Sequence, residues 1–204
     1  MRNLLAAILI LFPLTSSAIV NEIAFDFGYD RTIYGKDRQN SNVNRTYSGG
    51  LSTYIFDYTA IDLNASKSSD VTTERERYTI TGTSFDVIGQ QNRVSTTVFG
   101  IGLKQSFAPR NARLIPSLAL GYARQFVDYQ SDITIENTSS KVQSIISGGE
   151  TKQRIDSVFG TFALQLRLTE RMSLKGSVKT LIPAIKLDKV RDNIKYAFGF
   201  SWIF

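Results

Sequence analysis

The sequence contains no cysteine and no histidine among its 204 residues. Without cysteine, the chain has neither a disulfide framework nor a cysteine-ligated zinc site. Without histidine, it lacks the commonest general base and metal ligand of proteins. The Ser–His and Asp–His pairs that activate most protein nucleophiles are therefore unavailable. We predict that the protein is not an enzyme and that it holds no metal and no cofactor.

Long hydrophobic runs are missing beyond the N-terminus. Residues 4–14 are almost purely apolar, and the small residues Ser16 and Ala18 follow them. This arrangement is typical of a secretory signal peptide, which we predict over residues 1–18, with cleavage after Ala18. A membrane-anchoring helix is the alternative, but such a helix needs roughly 20 apolar residues, and this run is shorter. The predicted mature domain is residues 19–204.

The remaining sequence alternates between bulky and small side chains with the period of a β-strand. At the C-terminal end, the bulky face consists of Ile194, Tyr196, Phe198, Phe200, Trp202 and Phe204. The opposite face consists of Lys195, Ala197, Gly199, Ser201 and Ile203. The same alternation recurs near residues 23–30, 99–104, 114–123, 158–168 and 172–182, and it is less regular in 45–56 and 59–67. The pattern therefore predicts eight strands, and no stretch shows the 3.6-residue period of a helix.

The predicted connections are short at one end of the strands and long at the other. Short turns fall at residues 57–58, 108–113 and 169–171. Long polar loops are expected at residues 35–45, 68–94, 131–152 and 183–192. This layout is typical of outer-membrane barrels. We predict an all-β fold, an eight-stranded antiparallel up-and-down transmembrane β-barrel.

The bulky faces distinguish a membrane barrel from a soluble barrel of the lipocalin kind. The lumen of an eight-stranded barrel is just wide enough for modest side chains. It cannot hold most of the large residues of these faces, which include Phe25, Phe27, Tyr29, Phe99, Phe162, Phe198, Phe200 and Trp202. We therefore predict that the bulky face contacts lipid and the small face lines the lumen. Tyr29, Tyr122, Tyr196 and Trp202 lie near predicted strand ends, where they suit the membrane interfaces. Ordinary β propensity, which also favours tyrosine, is the alternative explanation.

The last strand resembles the terminal strand signal of Gram-negative outer-membrane proteins, in which hydrophobic residues alternate up to a final Phe. The matching residues are Tyr196, Phe198, Phe200, Trp202 and Phe204. In layout, residues 19–204 resemble small outer-membrane barrels of the OmpA transmembrane or OmpX type, although no subfamily motif matches. The resemblance implies export to the outer membrane and recognition of the last strand by the barrel assembly machinery. We expect the folded protein to be a monomer.

Charged residues on the small-residue faces are expected to form a polar network in the lumen. These residues are Asp26, Asp30, Asp62, Lys104, Arg167, Lys175, Lys179 and Lys195. Because an unpaired buried charge is costly, we predict the ion pairs Asp62–Lys104 and Asp30–Lys195. The network is interpreted as a plug. A narrow, anion-favouring water path is the alternative, since five of these residues are basic and three are acidic.

The net charge of +6 raises the question of partners. No basic patch is interleaved with exposed stacking aromatic residues, so we do not expect nucleic acid binding. Outer-membrane lipid is the expected surrounding. We expect the basic residues of the loops either to contact lipopolysaccharide phosphates or to be solvated. These residues are Lys36, Arg38, Arg45, Arg75, Arg77, Lys141, Lys152, Lys189 and Arg191. The predicted role is structural or surface interaction, meaning membrane integrity, adhesion or loop-mediated partner binding. A narrow channel or carrier for small solutes is the alternative.

Overall fold

A computed structural model of the chain describes residues 20–183 and 194–204. The predicted signal peptide and most of the predicted loop at 183–192 lie outside these residues. The strands are β1 (Asn21–Tyr34), β2 (Asn40–Tyr54), β3 (Thr59–Glu74), β4 (Tyr78–Thr79), β5 (Phe85–Ser106), β6 (Leu114–Asn137), β7 (Gln143–Ser147), β8 (Thr151–Arg167), β9 (Met172–Pro183) and β10 (Ile194–Ile203). A short 3₁₀ turn, Lys36–Arg38, joins β1 to β2. Within the described part of the chain, no helix is long and apolar enough to cross a membrane.

Eight strands close into a barrel in the order β1–β2–β3–β5–β6–β8–β9–β10, and every neighbouring pair is antiparallel. The barrel closes where β10 pairs with β1, from Glu22↔Ile203 to Phe27↔Phe198. The two remaining strands extend hairpins, because β4 pairs with β5 and β7 pairs with β6. The predicted fold class, an eight-stranded antiparallel up-and-down β-barrel, is confirmed.

The hairpins are longer than the sequence pattern predicts. The β3–β5 ladder continues to Glu74↔Gln90, and the β5–β6 ladder continues to Phe85↔Asn137. The prediction of long polar loops over 68–94 and 131–152 is therefore wrong for most of these residues, which are paired in strands. Polar side chains on both strand faces gave no hydrophobic alternation there. The ladder needs only backbone hydrogen bonds, however, and a strand that stands in water can carry polar residues on both faces.

The bulky strand faces point outward, as predicted. The exposed fraction is 52% for Phe25, 56% for Phe99 and 77% for Phe198. Small residues of the opposite face are buried, among them Ala123 and Ser201. Strand β10 has 10 residues and β9 has 12, close to the roughly 9–11 residues that a tilted strand needs to cross a bilayer. The outer surface is thus an apolar belt of the height of a membrane.

The lumen also contains the large ring of Phe159, which the sequence analysis did not place there. Phe159 is completely buried, and it packs in an apolar cluster with Val98, Ala119, Ala123 and Leu181. Gly121 of the neighbouring strand β6 lies opposite Phe159 and leaves space for the ring. A Cβ atom on Gly121 would lie only 2.7 Å from the Phe159 ring.

Candidate functional site

A buried polar cluster crosses the lumen near the short-turn end of the barrel. Glu22 of β1 is 1% exposed, and its Oε2 accepts hydrogen bonds from Lys104 Nζ at 2.7 Å and from Tyr54 OH at 2.8 Å. Its Oε1 accepts a hydrogen bond from Gln165 Nε2, and the same amide approaches Ser201 Oγ at 3.4 Å. Lys104 and Gln165 lie on β5 and β8, each three strands away from β1 around the barrel. The cluster, named here the Glu22 cluster, therefore ties opposite walls of the barrel together.

Two arginines cover the short-turn rim below this cluster. The Arg110 guanidinium lies 4.5 Å from the centre of the Tyr54 ring and donates to the Phe56 carbonyl at 3.2 Å. Arg167 was predicted in the lumen network. It lies instead at the rim, where it donates to the carbonyls of Arg110, Thr169 and Glu170 at 2.8, 3.0 and 3.1 Å. Arg167 thus joins two neighbouring turns.

The predicted ion pair Asp62–Lys104 is wrong, because Lys104 binds Glu22. Register explains the difference. Asp62 lies opposite Gly102, so Lys104 is one inward position closer to the short-turn end. The Asp62 carboxylate accepts hydrogen bonds from Ser52 at 2.8 Å and from Asn64 at 3.2 Å. The sequence analysis missed Glu22, although Glu22 has the same strand parity as Asp26 and parity alone would have placed it inward.

A second ion pair lies further along the lumen, away from the short-turn end. Lys175 Nζ of β9 lies 2.9 Å from Asp26 Oδ2 of β1. Gly199 of β10 stands between these residues in register, opposite both of them. Because Gly199 has no side chain, the Lys175 side chain can pass over it to the carboxylate. This pair bridges the strand at which the barrel closes.

The predicted ion pair Asp30–Lys195 is also wrong. These residues would be opposite each other if the β1–β10 ladder continued, but the ladder ends at Phe27↔Phe198. Lys195 Nζ donates to Ser68 Oγ at 3.1 Å, and Asp30 is exposed at the mouth of the barrel. The described β1–β10 ladder thus ends before it reaches Asp30 and Lys195.

The lumen is wide at the long-loop end and narrow toward the Glu22 cluster. A cavity of about 700 Å³ forms the mouth, and its walls include Asp30, Asn44, Asp70 and Lys195. A second cavity of about 80 Å³ lies in the lumen, with Lys104, Lys175, Lys179 and Lys195 among its lining residues. Lys195 lines both cavities. The second cavity is large enough to hold a few water molecules beside the polar groups that line it.

Beyond the belt, one arginine joins the extended hairpins. Arg77 donates to Asp86 Oδ2 of β5 at 3.0 Å and also binds Glu136 Oε1 of β6. Hydrogen bonds from Gln143 and Arg77, together with the charge of Arg77, lower the pKa of Glu136 from its ordinary value of 4.5. Because the pKa of Glu136 is lowered, the contacts of its carboxylate with Arg77 and Gln143 stabilise the hairpins at pH values above the ordinary pKa of 4.5. That contribution is lost as the pH falls through the lowered value.

We expect Arg77→Ala to loosen the tips of these hairpins and to leave the barrel intact. The substitution leaves the carboxylates of Asp86 and Glu136 without the guanidinium that holds them together. Amide hydrogen exchange should become faster in residues 75–87 and 132–147 and stay unchanged in β9 and β10. Lys152→Ala is the matched control, because Lys152 contacts only the neighbouring Glu150 among described carboxylates. Unchanged exchange at the tips in Arg77→Ala would contradict this role.

Comparison with solved structures supports the fold. The N-terminal β-barrel domain of Pseudomonas aeruginosa OprF matches with a TM-score of 0.50 and 17% identity, over 91% of this chain and 96% of that chain. Ail, the attachment invasion locus protein of Yersinia pestis, matches with a TM-score of 0.43 and 10% identity, over 91% and 99% of the two chains. The fold is that of a small outer-membrane β-barrel. The resemblance predicted from the sequence is confirmed at this level. No protein-family model matches the sequence, and no curated protein matches it.

Proposed function

We propose that the protein is an integral outer-membrane barrel with a structural or surface-interaction role, whose lumen is closed at the short-turn end. The observation that carries this proposal is the Glu22 cluster. It joins β1, β2, β5 and β8 across the lumen through a carboxylate that is 1% exposed. Arg110 covers the same end by stacking on Tyr54. A barrel closed in this way is a rigid support rather than a conduit.

The apolar belt supports the membrane location. Exposed aromatic rings surround the barrel. Such a surface would cause the protein to aggregate in water, whereas its contact with lipid is favourable. Tyr29 and Tyr47 are more than half exposed at the long-loop side of this belt. Such a position suits tyrosine, whose ring is apolar and whose hydroxyl stays wet. Export by the predicted signal peptide and recognition of the last strand by the barrel assembly machinery complete the proposed route.

The long hairpins support a surface role. Strand β5 has 22 residues and β6 has 24, which is about twice the length that a strand needs to cross the bilayer. The additional residues of both strands extend beyond the apolar belt as a paired sheet, in which Arg77 binds Asp86 of β5. An ordered sheet of this kind presents a fixed surface to a partner, at a smaller cost in chain entropy than a flexible loop. We infer a non-enzymatic role for this surface, since the chain has no histidine.

Lipopolysaccharide is the proposed lipid partner at the long-loop side. Arg31, Arg45 and Lys67 are exposed on outward positions of β1, β2 and β3. Arg45 lies opposite Tyr29, and Lys67 lies opposite Tyr47, so the basic residues lie at the same height on the barrel as these tyrosines. Cations at this height suit the phosphate groups of a lipid surface. The proposal includes a monomeric barrel and no nucleic acid partner.

Planar-bilayer recording tests the closed lumen. We expect the purified full chain to give no stable conductance steps, because the Glu22 cluster fills the short-turn end. Proteoliposomes made from the same sample and floated on a density gradient serve as the control for insertion. Reproducible steps from inserted wild-type protein would contradict the closed barrel and favour the channel alternative. The mouth cavity of about 700 Å³ and the basic lining of the lumen are the observations behind that alternative.

A further inference from the structure

The wide mouth of the lumen has a wall of polar side chains on adjacent strands. Asp30 of β1, Asn44 of β2 and Asp70 of β3 are opposite one another in register, and all three line the cavity of about 700 Å³. The same row continues around the barrel, because Asp70 pairs with Val94 of β5 and Val94 pairs with Tyr129 of β6. The register therefore places two carboxylates, an amide and a phenol ring along one wall of the mouth.

Hydrogen bonds fix the orientation of the polar groups in this wall. Both oxygens of Asp70 accept amide protons, Oδ1 from Asn42 at 2.9 Å and Oδ2 from Asn44 at 3.2 Å. Thr46 donates to Asn44 Oδ1 at 3.1 Å, which orients the same amide from its other side. A carboxylate has about four acceptor positions, so Asp70 keeps positions that can accept protons from a ligand. Acceptors thus lie beside donors, as a molecule with adjacent hydroxyl groups requires.

The spacing of this wall fits a single sugar ring. Neighbouring strands are about 4.8 Å apart, so the Cα atoms of Asp70 and Tyr129 are separated by about 10 Å across Val94. A pyranose ring that lies over Val94 can place hydroxyl groups at Asp70 while its C–H groups lie against the Tyr129 ring. Tyr129 is 40% exposed, so its ring is accessible. The cavity volume is within the range of roughly 300–1,000 Å³ that is usual for small-molecule sites.

The charges of the mouth favour a neutral ligand. The charged residues that line this cavity are Asp30, Asp70 and Lys195. The two carboxylates repel an anion, and the ammonium group of Lys195, which donates to Ser68 Oγ at 3.1 Å, repels a cation at the base of the mouth. An uncharged molecule with several hydroxyl groups instead finds both donors and acceptors in the wall.

We propose that this wall of the mouth binds a neutral saccharide, whose hydroxyl groups form hydrogen bonds with Asp70 and Asn44 and whose ring packs on Tyr129. The saccharide enters and leaves through the long-loop mouth. It is a ligand of the lumen, whereas the surface role proposed above concerns the hairpins. Binding does not require the short-turn end to be closed, so its presence or absence leaves the closed-barrel proposal unaffected.

Saturation-transfer difference NMR with neutral oligosaccharides tests the site. The full chain is purified in lauryldimethylamine oxide, because maltoside and glucoside detergents are themselves saccharides and would compete. Maltotriose, mannotriose and triacetylchitotriose are the probes, since they differ in the groups on the sugar ring. We expect saturable binding of at least one of them to wild type, with one site per barrel.

Two substitutions should each weaken this binding by about tenfold or more. Asp70→Asn removes a charged acceptor and keeps the size of the side chain, and Tyr129→Ala removes the ring. Asp62→Asn is the matched control for the first, because Asp62 is a carboxylate of the same strand that lines the inner cavity. Tyr47→Ala is the control for the second, since Tyr47 is exposed on the outer face. Both controls should leave binding unchanged.

Tyr129→Phe keeps the ring and should retain binding, so it separates loss of stacking from a general effect on folding. β-Sheet circular dichroism should be the same for all variants. Absence of saturable binding of all three probes to wild type would overturn the proposal, as would equal weakening by Asp62→Asn. Tighter saturable binding of spermidine, abolished by Asp70→Asn, would also overturn it, because the ligand of the mouth would then be a cation.

Discussion

Replacing Glu22 with alanine is expected to destabilise the barrel by about 3–5 kcal/mol, the range measured when one partner of a buried ion pair is removed. The loss is large because one carboxylate serves Lys104, Tyr54 and Gln165 together. All three are less than 7% exposed and would be left without their shared acceptor. Guanidinium unfolding in detergent measures the effect, with the fluorescence of the single tryptophan, Trp202, as the signal.

The same variant should open the short-turn end of the lumen. We expect conductance steps from Glu22→Ala in planar bilayers, under conditions in which wild type is silent. Asp30→Ala is the matched control, because Asp30 is a carboxylate of the same strand that is exposed at the mouth. Its stability should change by no more than about 0.5 kcal/mol, as for most surface substitutions. Equal stability of the two variants would show that the Glu22 cluster does not hold the barrel together.

Removing both charges provides a further check on the ion pair. The double variant Glu22→Gln/Lys104→Met should be more stable than the sum of the two single changes predicts. Each single change leaves a buried charge alone, whereas the double change leaves none. A coupling free energy near zero between the two positions would contradict the 2.7 Å contact between Lys104 Nζ and Glu22 Oε2.

Gly199→Ala is the second substitution with a large expected effect. A Cβ atom on Gly199 would run into the carbonyl oxygen of Phe25 and would lie 2.7 Å from the Cα atom of Asp26. Backbone atoms of a paired strand cannot move aside without breaking the ladder, and the β1–β10 ladder has only six residue pairs. We expect a loss of about 3 kcal/mol, the upper part of the range for overpacked sites.

Gly176→Ala is the matched control for this substitution. Gly176 lies on the adjacent strand β9, and its added Cβ would meet only the Phe198 ring, at the ordinary contact distance of 3.6 Å. The unfolding midpoint of Gly176→Ala should therefore stay close to that of wild type, and that of Gly199→Ala should fall clearly. If the two midpoints fall equally, backbone contact at Gly199 does not limit the pairing of β1 with β10.

Side-chain alternation was sufficient to predict the barrel and its orientation. Period-two patterns fix which residues share a face, and the bulk of Phe25 or Phe198 then decides which face is outside. The bulk criterion failed for Phe159, which has the inward parity of Ala163 and Gln165, because Gly121 of the neighbouring strand β6 leaves room for its ring. Packing of this kind depends on a neighbouring strand, so the sequence of β8 alone does not reveal it.

Contacts across the lumen could not be predicted for a different reason. Pairing between neighbouring strands follows from hairpin register, but Lys104 and Glu22 are three strands apart, and their meeting depends on how the strands are staggered around the barrel. The sequence analysis therefore assigned Lys104 to the neighbouring Asp62. Asp30 and Lys195 were placed at the right height, and the pair failed because the ladder ends at Phe27↔Phe198.

The long-range nature of the lumen contacts has a consequence for how the protein acquires its structure. Glu22 meets Gln165 across a sequence separation of 143 residues, and Asp26 meets Lys175 across 149. A growing sheet that still lacks β8 and β9 has neither Gln165 nor Lys175, so Asp26 lacks the ammonium group with which it pairs and must remain in contact with water. Closure should therefore be a late and cooperative event, in which dehydration of the interior accompanies the arrival of the last strands.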